Sequence, residues 1–176
     1  MDNSLAYIIT QCIANKAVYQ QQLYNLLYAE MMKVCLRYTN NMDDAGVLYN
    51  SSMLKVFAHI AQFKNVGSFN GWVKRIVINT CIDDCRKINK NTATDYTLEN
   101  LTTVSVNPEV YENINANAIM DLVSTLPKNT NAVFNMYVLD GYKHHEIATA
   151  LGITEGTSKW HLNEARRLLK IKLSSL

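Results

Sequence analysis

The chain has 176 residues, enough for one ordinary domain or two small ones, with 48% hydrophobic and 18% charged residues. That composition supports helical cores and argues against a disordered tail, while a net charge of +2 is too small to mark a nucleic-acid binder by itself. Two prolines and six glycines leave little helix-breaking punctuation, so the expected fold is all-α with long helices.

Met1 to Lys16 carries polar residues at nearly every turn and no basic-then-apolar run, so it does not read as a signal peptide. No stretch approaches the length of a membrane span, and the cytoplasm is the expected compartment. Cys12, Cys35, Cys81 and Cys85 form no regular framework and read as reduced core thiols. The four-residue spacing of Cys81 and Cys85 lacks the CxxC pairing of a zinc site, so neither metal nor cofactor is expected. The sequence leaves open whether Leu5 to Ala17 forms a helix of its own.

Leu23, Leu27, Met31, Val34 and Tyr38 step by four, four, three and four and draw one stripe along a helix. Asn40 to Asp44 offers a turn and an N-cap. A second helix is expected over about Ala45 to Ala61, carrying Leu48, Met53, Val56, Phe57 and Ile60. The glycines of Asn65 to Gly71 predict a loop, followed by a helix from Trp72 to about Ile88 with Trp72, Ile76, Val77 and Thr80 on or near one face. Asn and Thr dominate from Asn89 to Asn107, and between Lys87 and Asp121 two basic residues stand against five acidic ones. This reads as an acidic, flexible linker. The expected organisation is two small helical domains, 1–90 and 120–176, joined by residues 91–119.

In the second domain Leu126-Pro127 opens a helix whose buried stripe is Ala132, Val133, Met136 and Leu139, ended by Asp140-Gly141. A short helix from His144 to Leu151 stops at Gly152, and a last one starts near Thr154. The stretch Gly141 to Thr157 describes two helices crossing steeply: Ala148 permits close approach, Gly152 turns the chain, Ile153 plugs the core and Thr154 caps. Ser158, Leu162, Ala165 and Leu169 fall inside, leaving Lys159, Trp160, His161, Asn163, Glu164, Arg166 and Arg167 outside. From Thr154 to Leu176 five basic residues face two acidic ones, a balance suited to a helix inserted in the major groove.

Leu126-Pro127, Val133-Phe134 and the Gly141 to Leu169 stretch with its Glu-Gly-Thr and Ala-Arg closely resemble the C-terminal domain of extracytoplasmic-function sigma factors of bacterial RNA polymerase. The resemblance implies a helix-turn-helix that reads the −35 promoter element as duplex, with Lys159, Trp160, His161 and Glu164 on the base-reading face. Thr157, Arg166 and Arg167 would then lie near phosphates. Trp160 is unusually bulky there; it either meets an apolar group such as a thymine methyl or folds back onto the protein.

Gly67-Ser68-Phe69-Asn70-Gly71-Trp72, followed by Arg75-Ile76, Asn79, Asp83 and Arg86, is similar to the −10-reading domain of the same family. Five basic residues against two acidic ones from Trp72 to Lys90, Lys74 among them, suit a strand's phosphates, and aromatic and amide groups suit an unstacked base. The resemblance implies that Phe69 to Trp72 borders a pocket for a flipped base in single-stranded −10 DNA, with Asn79 and Asp83 close to bases. On chemistry alone Trp72 equally suits a core, and Asp83 and Arg86, three apart, equally suit a surface ion pair.

One segment departs from the family. Polymerase core binding maps by position to Asp44, Asn50, Ser51 and Lys55, but Gly46 and Val47 replace an expected acidic pair, and Asn50 and Ser51 stand where glutamine and glutamate are common. The resemblance implies core RNA polymerase and promoter DNA as partners, adds an anti-sigma factor, and gives the chain no chemistry of its own. The sequence agrees on the last point, with no Gly-rich phosphate loop, nucleophile elbow or HExxH. The competing reading is a helix-turn-helix regulator that is not a polymerase subunit.

Overall fold

The computed structural model describes residues 4–39, 41–64, 67–91 and 116–174. The elements are α1 (Leu5–Ile13), α2 (Ala17–Leu36), α3 (Met42–His59), α4 (Phe69–Asn91), α5 (Ala116–Ser124), α6 (Lys128–Phe134), α7 (His144–Leu151) and α8 (Glu155–Leu173). A 3-10 turn at Ile60–Gln62 follows α3 and a π-helical turn at Asn135–Leu139 follows α6. No β-strand occurs among the described residues, so the fold is all-α as expected. Most of the expected linker, residues 92–115, lies outside the described residues.

The chain divides into two compact units, Met1–Cys81 and Ile82–Leu176, with the division inside α4. In the first, α1 forms as a separate helix, capped by Ser4 Oγ accepting from the Tyr7 N–H at 3.3 Å, and buries Ile8, Ile9 and Cys12. The α2 stripe from Leu23 to Tyr38 is buried throughout, as its spacing requires. Asn41 caps α3, its Oδ1 accepting from the Asp44 N–H at 2.7 Å, and Asp43 and Asp44 place negative charge at the positive end of the helix dipole. Leu48, Met53, Val56 and Ile60 are buried as predicted, while Phe57 is half-buried. Two hydrogen bonds lock α2 to α3: Tyr49 Oη donates to the Tyr24 carbonyl at 2.6 Å, and Tyr24 Oη donates to Asn50 Oδ1 at 2.7 Å.

Helix α4 starts at Phe69, three residues before the expected Trp72. Burial of Phe69 draws the end of the expected loop into the helix, and the Ser68 carbonyl already accepts from the Trp72 N–H at 3.0 Å. The inner face is therefore Phe69, Val73, Val77, Thr80 and Cys81; Trp72 and Ile76 are only half-buried. All four cysteines are buried thiols, and a hydrogen bond from Cys81 lowers the pKa of the Cys35 thiol.

In the second unit Val123, Leu126 and Ala165 form a core against which Phe134, Leu168 and Leu169 pack. Two buried asparagines extend it: Asn131 Nδ2 donates to the Val123 carbonyl and Asn135 Nδ2 to Asn131 Oδ1, both at 2.8 Å. Ala132, Val133 and Met136 are buried, but Leu139 is 40% exposed, against the prediction. The π turn is the cause. Its five-residue repeat, with the Asp140 N–H bonded to the Asn135 carbonyl, shifts the helical phase and carries Tyr137, Val138 and Leu139 outward.

Candidate nucleic-acid interface

Helices α7 and α8 form the expected helix-turn-helix. Gly152, at φ +69°, holds the left-handed conformation the turn demands, and Thr154 Oγ1 accepts from the Thr157 N–H at 3.0 Å to cap α8. The two helices are pinned by His144 Nδ1 and Ser158 Oγ, 2.9 Å apart, with the His144 ring stacked on Tyr137 at 4.6 Å. Burial, reinforced by the Lys159 cation, lowers the His144 pKa and favours a neutral ring. Glu146 closes the start of α7 by accepting from the Lys143 N–H at 2.7 Å. His144 and Glu146 are thus occupied in holding helix ends, while His145 between them is exposed.

Most of the outer face of α8 is as read from the sequence. Lys159, Arg166 and Arg167 are exposed, and Trp160 is half-buried with its ring edge-on to His161 at 4.9 Å. Part of the Trp160 side chain is thus covered by the protein and part of it is accessible. Thr157 shares its hydroxyl with Thr154 at 2.9 Å, within the cap. Glu164 is clamped by Arg167, whose Nε and Nη2 donate to its two carboxylate oxygens at 2.8 and 2.7 Å, and this bond lowers the Glu164 pKa.

His161 is the exception. It is 3% exposed, with Nδ1 3.0 Å from Thr130 Oγ1 on α6, and burial pushes its pKa down to about 4. The ring is a neutral core group and does not lie on the outer face where its sequence position placed it. The helical phase explains this, because three residues past buried Ser158 and four before buried Ala165 is an inward position. What the outer stripe does carry is Lys159, Asn163, Arg166 and Lys170, all exposed at steps of four, three and four. Asn163, already placed outside by the sequence, and Lys170 were absent from the expected contacts; continuing the four-three-four step from Lys159 would have found both.

On α4 the exposed side carries Lys74, Arg75, Asn79 and Arg86, with Asp83 half-buried. Arg86 Nη2 lies 3.6 Å from Asp83 Oδ1, the surface pair that the three-residue spacing allowed. Phe69, Phe63 and Trp72 form an aromatic cluster with centroids 5.1 to 5.7 Å apart. Phe69 is its buried member, while half-buried Trp72 keeps part of its ring accessible. Asn70 Nδ2 donates to Glu30 Oε2 at 2.9 Å and fixes the start of α4 to α2.

Of the residues mapped to polymerase binding on α3, Asp44 is exposed and accepts from Asn41 Nδ2 at 3.0 Å, and Asn50 is exposed and holds Tyr24. Ser51 and Lys55 are half-buried. The most exposed large hydrophobic side chains on α3 are Val47 at 63% and Leu54 at 71%, so its outward face beyond the capped end is partly apolar. Among the described residues no helix is long and apolar enough to cross a membrane, and no group of three or more metal-ligating side chains gathers.

A helical unit followed by a helix-turn-helix unit, each with a cationic outer helix, defines a two-module DNA-associated protein. Residues 23–91 match the sigma-70 region 2 family and residues 116–169 the sigma-70 region 4 family. The RNA polymerase sigma factor SigV of Bacillus subtilis is 24% identical over 168 residues, covering 95% of this chain and 92% of SigV. SigL of Mycobacterium tuberculosis, an extracytoplasmic-function sigma factor, is 25% identical over 170 residues and 96% of each chain. A solved structure, the sigma factor RpoE in complex with the anti-sigma factor NepR from Bartonella quintana, is similar with a TM-score of 0.49 and 18% identity, covering 88% of this chain and 96% of that one. This chain belongs to the extracytoplasmic-function sigma factors.

Proposed function

We propose that the chain directs core RNA polymerase to specific promoters and assists strand opening, α8 reading duplex −35 DNA while α4 holds single-stranded −10 DNA. The observation that carries this reading is the presence of both surfaces in one chain. The stripe Lys159, Asn163, Arg166 and Lys170 suits a major groove, and Lys74, Arg75 and Asn79 beside the accessible edge of Trp72 suit an unpaired strand. Opening would be driven by capture of flipped bases rather than by nucleotide hydrolysis. The modules would span residues 1–90 and 120–176 with 91–119 as connector.

Polymerase contact falls to α3 around Asp44, Asn50, Ser51 and Lys55. An anti-sigma factor is a further partner in this reading, and the relative solved with NepR is consistent with one. The partly apolar outward face of α3, Val47 and Leu54 above all, keeps a second reading in view, a DNA-binding regulator that never joins polymerase. Comigration of the purified chain with bacterial core RNA polymerase on a sizing column separates the two: a stoichiometric complex supports the sigma reading, and duplex-DNA binding without a complex supports the regulator.

A further inference from the structure

Three of the four residues first expected to read bases are engaged within the protein. His161 is in the core against Thr130, Glu164 is held in a two-bond clamp by Arg167, and Trp160 packs its ring on His161. What projects from α8 is a single line: Lys159, Asn163, Arg166 and Lys170. Three of the four are cations, which suit phosphates as well as bases. Asn163 alone in that line presents a neutral amide, with a carbonyl acceptor and an NH2 donor side by side.

An adenine offers the complementary pair in the major groove, N7 accepting and the N6 amino group donating. Asn163 lies four residues past Lys159, about 6 Å along the helix axis, with Lys159 and Arg166 placing positive charge on both sides. A second feature points the same way. Gly156 stands on the same side as Lys159 and Asn163, in the first turn of α8, yet a Cβ there would meet only Thr154 Oγ1, at 3.6 Å. Among the described residues nothing crowds this position, so the bare backbone fits close approach by something outside the chain.

We propose that Asn163 is the principal base-reading residue of α8, making a bidentate contact to one adenine, and that Gly156 lets the first turn of α8 approach the duplex closely. This rests on the proposed function, in naming the base that the helix-turn-helix reads. His161 is a structural residue in this account, and the cations supply affinity without choosing the base.

The test is selection of duplex DNA from a randomised library by the full chain, free at low salt and in complex with core polymerase, for wild type, N163A and H161Q. Wild type should select an adenine at one position; N163A should lose that preference by about 5- to 100-fold while neighbouring preferences remain. H161Q should keep the adenine preference. A second measurement uses 7-deazaadenine at the selected position, which should weaken wild type and leave N163A unchanged. An undiminished adenine preference in N163A, or equal sensitivity of both proteins to 7-deazaadenine, overturns the proposal while leaving the DNA-binding reading intact. Wild type that selects no duplex sequence in either form overturns the DNA-binding reading and the proposal with it.

Discussion

Thr130 Oγ1 and His161 Nδ1 lie 3.0 Å apart in the core of the second unit, so α6 and α8 are joined through an imidazole that burial keeps neutral. The His161 pKa falls from 6.5 to about 4 on folding, desolvation outweighing the opposing pull of Glu164. A depressed folded pKa means that the unfolded chain binds the proton more readily. The stabilisation is complete above about pH 6.5 and is lost as pH falls from there towards 4, at most on the order of 3 kcal/mol. His144, also lowered, adds to the trend in the same direction. Urea unfolding followed by circular dichroism between pH 8 and 4 should show the second unit weakening across this window, and H161Q should flatten the profile. An unchanged profile in H161Q would contradict the assignment of the proton to His161.

Glu164 and Arg167 form a two-bond clamp on α8. Replacing Glu164 with Gln removes an i,i+3 helix pair whose acid is half-buried, and should change stability by about 0.5 kcal/mol. Arg167 would then be available to a phosphate, and the slope of log affinity against log salt should steepen by roughly one for duplex DNA. A slope identical to wild type would place Arg167 away from the backbone.

Gly156 predicts opposing effects on stability and binding. G156A introduces a Cβ with only an ordinary contact to Thr154, so the second unit should gain about 0.5 to 1 kcal/mol in thermal or urea unfolding. Duplex affinity should fall. Increased stability with unchanged affinity would remove the glycine from the interface.

On α4, Phe69 and Arg75 should behave differently. F69A opens a buried aromatic cluster and should cost about 3 to 5 kcal/mol of first-unit stability. R75A, at an exposed position, should leave stability within about 0.5 kcal/mol and weaken single-stranded DNA binding, lowering the salt slope by roughly 0.7. If R75A binds single strands as wild type does, the cationic side of α4 is not the strand's path.

The helical stripes were legible because burial follows the 3.6-residue period without help from distant contacts. Leu23 to Tyr38 in α2 and Ser158, Leu162 and Ala165 in α8 are buried where the spacing put them, and Gly152 and Thr154 turn and cap as their chemistry demands. The misjudged positions have different causes. Phe69 was assigned to a loop because of its neighbouring glycines, yet Phe63 and Trp72 draw it into the core and extend α4. Leu139 follows the α-helical phase on paper but rotates outward through the π turn. His161 is polar and was placed outside, whereas Thr130, 31 residues away in sequence, gives it a buried partner. On α8, Lys159, Asn163, Arg166 and Arg167 were placed outside and are exposed. Asn163 was nevertheless not named as a contact, because a neutral amide among cations carries little signal by itself.

The central claim is that α4 and α8 serve one polymerase-bound initiation factor, and run-off transcription tests it most directly. Core RNA polymerase with and without this chain would be given a library of promoters, and the transcripts sequenced. Transcripts should depend on the chain, arise from templates sharing two separated motifs, and decline when R75A or N163A replaces wild type. Transcripts that are identical with and without the chain, despite its binding to duplex DNA, would contradict the claim and leave a DNA-binding regulator on a sigma scaffold.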